Sequence, residues 1–277
     1  MADDFDLDAY FARIGYGGAA TPELATLRAL HAAHVAAIPF ESLDPLTGRP
    51  VHLDLARLQA KLVRSRRGGY CFEQNHLFRG ALQAIGFAVT GLGARVVWMS
   101  PPDAPLGPRL HMLLKVDLAE GPYLADVGFG AHLLDAPLRL EAGPEQITPT
   151  ATYRLQREGD LFALAVRLGD EWRRAYVFDL TPQLASDYAV ANWYAATHPD
   201  FLFTSMLVVE RLTAEARWNL VDTRLTERRR DGQTSERILA SAVELAQALD
   251  EVFDLEPPIP AAEVFAKIDA PEAAAAP

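Results

Sequence analysis

The sequence predicts an α+β protein whose helices and strands are segregated along the chain, and three observations carry that prediction. Up to about residue 86, apolar residues recur at helical spacing between recognisable starts and stops. From residue 87 the texture changes to short β-rich segments separated by Gly, Pro and Asp, which predicts an antiparallel sheet or barrel and not βαβ units. Past about residue 190, strand-like and amphipathic stretches are mixed.

Taken in order, "TPELATLRALHAAHVAAI" reads as a helix with Thr21 as N-cap and Pro22 at the first helical position. Leu24, Leu27, Leu30, His31 and His34 follow at helical spacing. His31 and His34 are three apart, as a metal pair would be. No third ligand lies nearby in sequence, so they read as polar residues on a helix flank. Pro39 in "IPFESLDP" ends that helix, and "LDLARLQAKLVR" reads as another short one. In "YCFEQNHLFRGALQAIGF", the spacing of Phe72, Leu77, Phe78, Leu82 and Ile85, with a stop at Gly86, predicts a helix from about Tyr70 to Ile85.

Strands are expected in "FAVTGLGARVVWM", "LHMLLKVDL", "PYLADVGFG", "PLRL", "TYRLQREGDLFALAVRL" and "WRRAYVFDL", then in "MLVVERLT" and "RWNLVDTRLTERR". "TSERILASAVELAQALDEVF" is amphipathic, with Ile238, Leu239, Val243, Leu245, Leu249 and Phe253 as core candidates, and the tail "APEAAAAP" reads as frayed. No internal repeat is visible.

The 277 residues carry a net charge of −11, which disfavours nucleic acid and anionic membrane surfaces as partners. Apolar runs stop well short of the roughly 18 residues of a membrane span. "MADDFDLDAY" lacks the basic and apolar regions of a signal peptide, and the single cysteine permits no intrachain disulfide. A cytoplasmic protein is expected. The basic run "RRR" (228–230) precedes "DGQ", a turn signal, and reads as a solvated hairpin tip, with a phosphate contact as the lesser alternative.

The single cysteine, Cys71, carries the chemistry. A lone cysteine is usually a small buried hydrophobe. Here Gly68 and Gly69 permit positive φ and close backbone approach, the helix start favours a thiolate, and Arg64, Arg66 and Arg67 add positive potential. Together they make Cys71 a candidate nucleophile, which needs a base and a group to orient it. His76 is five residues on and points to another side of the helix. His111 interrupts an apolar strand, where an unpaired imidazole is costly, so it is either the base or a core histidine bonded to backbone. Asp126 ends the next apolar strand and also needs a partner, for which His111 Nδ1–H would serve. If Glu120 and Gly121 form a two-residue turn, however, Asp126 falls opposite Lys115, and spacing alone leaves the His111–Asp126 pair open.

"RGGYCFEQN", "HMLLKV" and "ADVGFG", in that order, resemble the signature segments of arylamine N-acetyltransferases. "IPFESLD" (38–44) resembles the family's "IPFENL" segment with Ser42 in place of asparagine, and "HPDFLFTSML" (198–207) its "HP-x-S-x-F" segment with Phe201 in place of serine. The resemblance covers nearly the whole chain. It implies three domains with a cysteine-protease-like core: a helical bundle (1–86), a β-barrel (87–190) and an α/β lid (191–277). It implies Cys71 as acetyl-accepting nucleophile, His111 as base and Asp126 as the residue orienting it, with His111 and Asp126 in contact. It also implies acetyl-CoA as co-substrate, arylamines, arylhydrazines or N-hydroxyarylamines as acceptors, and no metal. Phe40, Phe129 and Phe203 are the candidates for an aromatic acceptor pocket, and Gly128 and Gly130 for close approach of the coenzyme to the backbone. A monomer or weak homo-oligomer is expected. A natural-product amide synthase would share every catalytic residue, and a cysteine hydrolase would use the same triad on water.

Overall fold

A computed structural model of the chain describes residues 5–101 and 103–268; the tail read as frayed lies outside them. The helices expected in the first part form in the expected places. In chain order the elements are α1 (Leu7–Ile14), not singled out in the sequence, α2 (Leu24–Ala37), α3 (Leu43–Leu46), likewise not singled out, α4 (Leu55–Leu58), which runs on as a π-helical turn over Gln59–Val63, and α5 (Cys71–Ile85). α5 ends at Gly86, whose φ of 105° is the left-handed conformation glycine adopts freely. Phe72, Leu77, Phe78 and Leu82 are buried, worth roughly 1.5–3 kcal/mol each, whereas Ile85 is only half-buried.

Two readings of α2 are corrected. Its N-cap is Glu23, and Thr21 and Pro22 lie in the preceding turn, where the Thr21 carbonyl accepts from Glu23 N–H. His31 and His34 are not on a polar flank but fully buried. His34 is hydrogen-bonded through both ring nitrogens, to the Tyr10 hydroxyl and to Gln74 Oε1, each at 2.8 Å, whereas His31 accepts from the backbone N–H of Asp126 through Nε2 and its buried Nδ1 has no hydrogen-bond partner among the described residues.

The β-rich middle contains β2 (Ala88–Val96), β3 (His111–Leu118), β4 (Gly121–Ala125), β5 (Leu138–Arg139), β6 (Glu145–Ile147), β7 (Thr152–Glu158), β8 (Leu161–Leu168) and β9 (Glu171–Phe178). A two-residue β1 (Phe40–Glu41) precedes them. Among the described residues β2–β9 form one antiparallel sheet in the order β5-β4-β3-β2-β9-β8-β7-β6. It curls into a nearly closed barrel: Gln146 of edge strand β6 exchanges hydrogen bonds with the backbone N–H and C=O of Arg139 on edge strand β5.

Strand β3 explains the near-continuous apolar run seen in the sequence, because it is covered on both faces. Met112, Leu114 and Val116 pack with the helices, while Leu113 joins the barrel interior. His111 shares the Leu113 face and is therefore delivered into the barrel mouth.

The last part contains α6 (Ala185–Thr197), β10 (Val208–Leu212), β11 (Ala216–Val221), β12 (Arg224–Arg229), β13 (Thr234–Ile238), α7 (Ala242–Gln247) and α8 (Ala261–Ile268). The four strands extend β1 into a second sheet, β1-β10-β11-β12-β13. Ser42 stitches this sheet, donating to the Met206 carbonyl and accepting from Val208 N–H. Leu239, Leu245, Leu249 and Phe253 are core as expected. Ile238 and Val243 are exposed instead, because Ile238 ends an edge strand and Val243 faces out of α7's first turn. Among the described residues no helix is long and apolar enough to cross a membrane.

Candidate active site

Cys71 is the first residue of α5, 5% exposed, at the inner end of a cleft of about 1380 Å³. The segment before it is shaped by glycine, although neither Gly68 nor Gly69 takes a positive φ. Both are there for close approach: a Cβ at Gly68 would lie 2.0 Å from the Pro39 carbonyl oxygen, and one at Gly69 2.6 Å from Glu73 Oε2. Glu73 Oε2 accepts from Tyr70 N–H and so caps the helix at its start.

The arginines beside the cysteine do not supply the free positive potential expected of them, because each is neutralised by a carboxylate from elsewhere in the chain. Arg64 faces Asp6, Arg66 pairs with Asp250 and Asp254, and Arg67 is inserted between Glu41 and Asp44. Lys61 joins the last group by bridging Asp44 and Glu73, both at 2.7 Å. Burial pushes Glu73 up to about 7, against Lys61, with Glu41 adding to the rise.

The positive charge near Cys71 comes instead from His111. Its Nε2 lies 2.6 Å from Asp126 Oδ2, with both side chains buried. The nitrogen is Nε2 and not Nδ1 as the sequence suggested, which leaves Nδ1 for the thiol. Burial works to lower the imidazole pKa. The Asp126 charge and hydrogen bond, joined by interaction with Cys71, outweigh it and raise His111 to about 10, so it is an imidazolium at neutral pH. Asp126 in turn is pushed up by burial but held below its ordinary value by His111 and by hydrogen bonds from Asn75 and Gly128 N–H, both at 3.0 Å.

The hairpin that brings this pair together differs from the expected one. The turn is Ala119–Glu120, and Gly121 starts β4 with φ 120°, a conformation glycine adopts freely. Leu114 then pairs with Ala125, so Asp126 follows on the Leu113 face, diagonal to His111.

The candidate pocket residues converge on the same cleft. Phe129 lies edge-on to His111, with centroids 5.3 Å apart, and packs against Trp98 and Tyr176. Phe40 and Phe203 are in contact at 5.7 Å, and Phe201 adds a third ring at 5.3 Å from Phe203. All four phenylalanines line the cleft, as do Gly128 and Gly130. The space those glycines leave is occupied by the protein itself. A Cβ at Gly128 would lie 2.7 Å from Cys71 Cα, and one at Gly130 2.4 Å from the Phe40 ring. These glycines let the loop after Asp126 close on Cys71 and Phe40.

Three residues around Cys71, His111 and Asp126 were missed in the sequence. Asn75 donates to Asp126 Oδ1 and to the Met112 carbonyl, and accepts from Val127 N–H. Its signal was available, since position i+4 from Cys71 puts it on the same helix face. His31, whose Nε2 accepts from Asp126 N–H at 3.3 Å, is held neutral by burial with a pKa of about 4. Tyr176 packs against His111 with the rings tilted and their centroids 4.9 Å apart, and nothing local separated it from an ordinary core tyrosine. Among the described residues no group of three or more His, Cys, Asp or Glu side chains is placed to hold a metal ion.

Comparison with known proteins gives concordant results. A family model described as N-acetyltransferase matches residues 23–260. The chain is 44% identical to an arylamine N-acetyltransferase of Mycolicibacterium smegmatis over 254 residues, 91% of this chain and 92% of that protein. It is 41% identical to one from Escherichia coli K12 over 250 residues, 90% and 88% of the two chains. Among solved structures, the arylamine N-acetyltransferase of M. tuberculosis superposes with a TM-score of 0.88 at 44% identity, covering 91% of this chain and 94% of that one. That of Mycobacterium marinum in complex with CoA superposes with a TM-score of 0.89 at 41% identity, covering 95% and 98%.

Proposed function

The chain belongs to the arylamine N-acetyltransferase family, and from that premise we propose that it moves an acetyl group from acetyl-CoA, through Cys71, to the nitrogen of an arylamine, arylhydrazine or N-hydroxyarylamine. The observation that carries the mechanism is His111 Nε2 held 2.6 Å from the buried Asp126 carboxylate in the cleft that also contains Cys71. A separate hydrophobic cluster inside the barrel (Leu92–Phe178), and two others centred on the first helices and on the last sheet with α7, support a three-domain division with a cysteine-protease-like core where the helices meet the barrel.

The proposed reaction is ping-pong. The Cys71 thiolate attacks the thioester carbonyl, an Sγ–C bond forms, and the coenzyme thiolate departs with the His111 proton. The amine then attacks the acetyl-cysteine carbonyl and gives its proton to neutral His111. Cys71 leaves as thiolate, restoring the ion pair. One thioester replaces another in the first half, so the demand is for a formed thiolate and good positioning rather than for a large driving force. N–H groups in the first turn of α5 have no intrahelical acceptor and suit the developing oxyanion. Phe40, Phe129 and Phe203 form the aromatic wall for the acceptor. An amide synthase or a hydrolase would use the same triad, and no observation favours either.

Mass spectrometry of the protein mixed with acetyl-CoA tests the reading. One acetyl group on Cys71, discharged by an arylamine or hydrazine and absent from Cys71→Ala, is expected. A wild-type protein that takes up no acetyl group overturns it.

A further inference from the structure

The cleft that contains Cys71 is also lined by six arginines. Arg167 and Arg173 line it from the barrel hairpin, and Arg217, Arg228, Arg229 and Arg230 from the second sheet. Glu210 is the only carboxylate among the described lining residues, in a chain whose net charge is −11. This segregation runs against the charge of the rest of the molecule.

The sheet register sharpens the observation. Leu212, Arg217, Arg228 and Thr234 are successive cross-strand partners on β10, β11, β12 and β13, and all four line the cleft. Two arginines therefore stand directly opposite each other on one face, an arrangement that costs stability when nothing lies between them. Arg217 is accounted for: it is nearly buried, pairs with Glu210 and donates to the Leu133 carbonyl at 2.9 Å, clamping the loop beyond Phe129 to the sheet. Arg229 pairs with Glu227 and Asp231. Arg228 is exposed and forms no ion pair among the described residues, although it lies within electrostatic range of Glu210 and His132. Across the cleft, Arg173 packs over the Trp98 ring at 5.7 Å and likewise has no carboxylate partner among the described residues.

We propose that Arg228, aided by Arg230 and by Arg173 on the facing wall, forms the anion site that holds the phosphate groups of the thioester donor while its sulfur end reaches Cys71. The inference rests on the acetyl-CoA reading above and adds to it the recognition element. The hairpin run "RRR" is then more than a solvated tip: its first arginine lines the cleft with no ion-pair partner among the described residues, while Arg217 opposite it is already paired with Glu210. A guanidinium suits phosphate because its paired N–H groups match two oxygens at once.

The test compares two acetyl donors on wild type and on Arg228→Gln: acetyl-CoA, and p-nitrophenyl acetate, which carries no phosphate. The ratio of their kcat/KM values for acetylating Cys71 is expected to fall about ten-fold in the variant, the loss of one charge-assisted hydrogen bond. Arg228→Lys is expected to recover part of it, and the acetyl-CoA KM is expected to rise less steeply with salt in Arg228→Gln than in wild type. Repeating the comparison with dephospho-CoA as inhibitor separates the two phosphate sources. Equal inhibition of wild type and variant assigns Arg228 to the 3′-phosphate, and weaker inhibition of the variant assigns it to the pyrophosphate. An unchanged donor ratio overturns the inference while leaving the acetyl-transfer reading intact. If neither donor acetylates wild-type Cys71, it is that earlier reading which fails.

Discussion

Replacing Asp126 by Asn would isolate what the buried carboxylate does for Cys71. The asparagine oxygen can keep the hydrogen bonds from Asn75 and Gly128 N–H, so the loop retains its anchors. Its amide nitrogen then faces His111 Nε2, which must become an acceptor, and the ring is turned into the tautomer with its proton on Nδ1. The charge changes too. His111 is raised to about 10 by Asp126 against the pull of burial, whereas fully buried His31 and His34, each without a carboxylate hydrogen-bonded to its ring, lie at about 4 and about 3. Without the carboxylate, His111 is expected to join them and to be neutral at pH 7. Losing the imidazolium removes an opposite charge beside the sulfur and is expected to slow iodoacetamide labelling at pH 7 by about ten-fold or more. Acetyl transfer, which also needs the correct tautomer, is expected to fall further, by about 10³–10⁴ as in the equivalent change of a serine-protease triad. The assay is the labelling rate from pH 5 to 10, beside the rate of arylamine acetylation. The wild-type and Asp126→Asn profiles are expected to differ, the variant labelling more slowly at pH 7 and recovering toward pH 10. Superimposable profiles would refute the argument that Asp126 charges His111.

Three further outcomes follow from the same geometry. Arg67→Gln leaves Glu41 and Asp44 without their guanidinium in a site where neither carboxylate is more than 8% exposed, and is expected to cost about 3–5 kcal/mol of stability by denaturant unfolding. Gly128→Ala drives a methyl to 2.7 Å from Cys71 Cα; a loss of about 1–3 kcal/mol and of most acetylation is expected, and a variant with wild-type melting and activity contradicts the close-approach account. Finally, burial holds His34 neutral at a pKa of about 3 when folded, against about 6.5 unfolded, so below pH 6.5 the unfolded chain binds the proton first. Its contribution is present above pH 6.5 and lost as pH falls toward 3, about 2 kcal/mol by pH 5. His34→Gln is therefore expected to lose less stability than wild type between pH 7 and pH 5, and parallel losses would count against it.

Much of the site was legible because its signals are local. Helix α5 was readable to its last residue from apolar spacing and Gly86, and Cys71 stood out as a thiol at a helix start beside glycines. The segments that resemble arylamine N-acetyltransferases carried the rest of the functional reading. Other features depended on partners far away in sequence. Arg66 looked like a source of positive potential until Asp250 and Asp254, more than 180 positions on, were folded against it. His31 and His34 looked like surface residues because a helix wheel does not reveal that α2 is covered by α1 and α5.

By itself, then, the sequence determined the helical first part, the β-rich middle, and candidates for a nucleophile, its base and its orienting group, since periodicity and turn residues act over a few positions, whereas α1, α3 and α6 were not singled out. Only the tertiary structure decided which nitrogen of His111 faces Asp126, which arginines are neutralised and which one is left facing the cleft. Those outcomes hang on strand register and burial. A two-residue shift in one hairpin, made possible by the positive φ of Gly121, aligns Asp126 diagonally with His111, and the cross-strand register of β11 and β12 sets Arg228 against Arg217. Burial converts such placements into charge, because a carboxylate and an imidazole removed from water respond chiefly to each other.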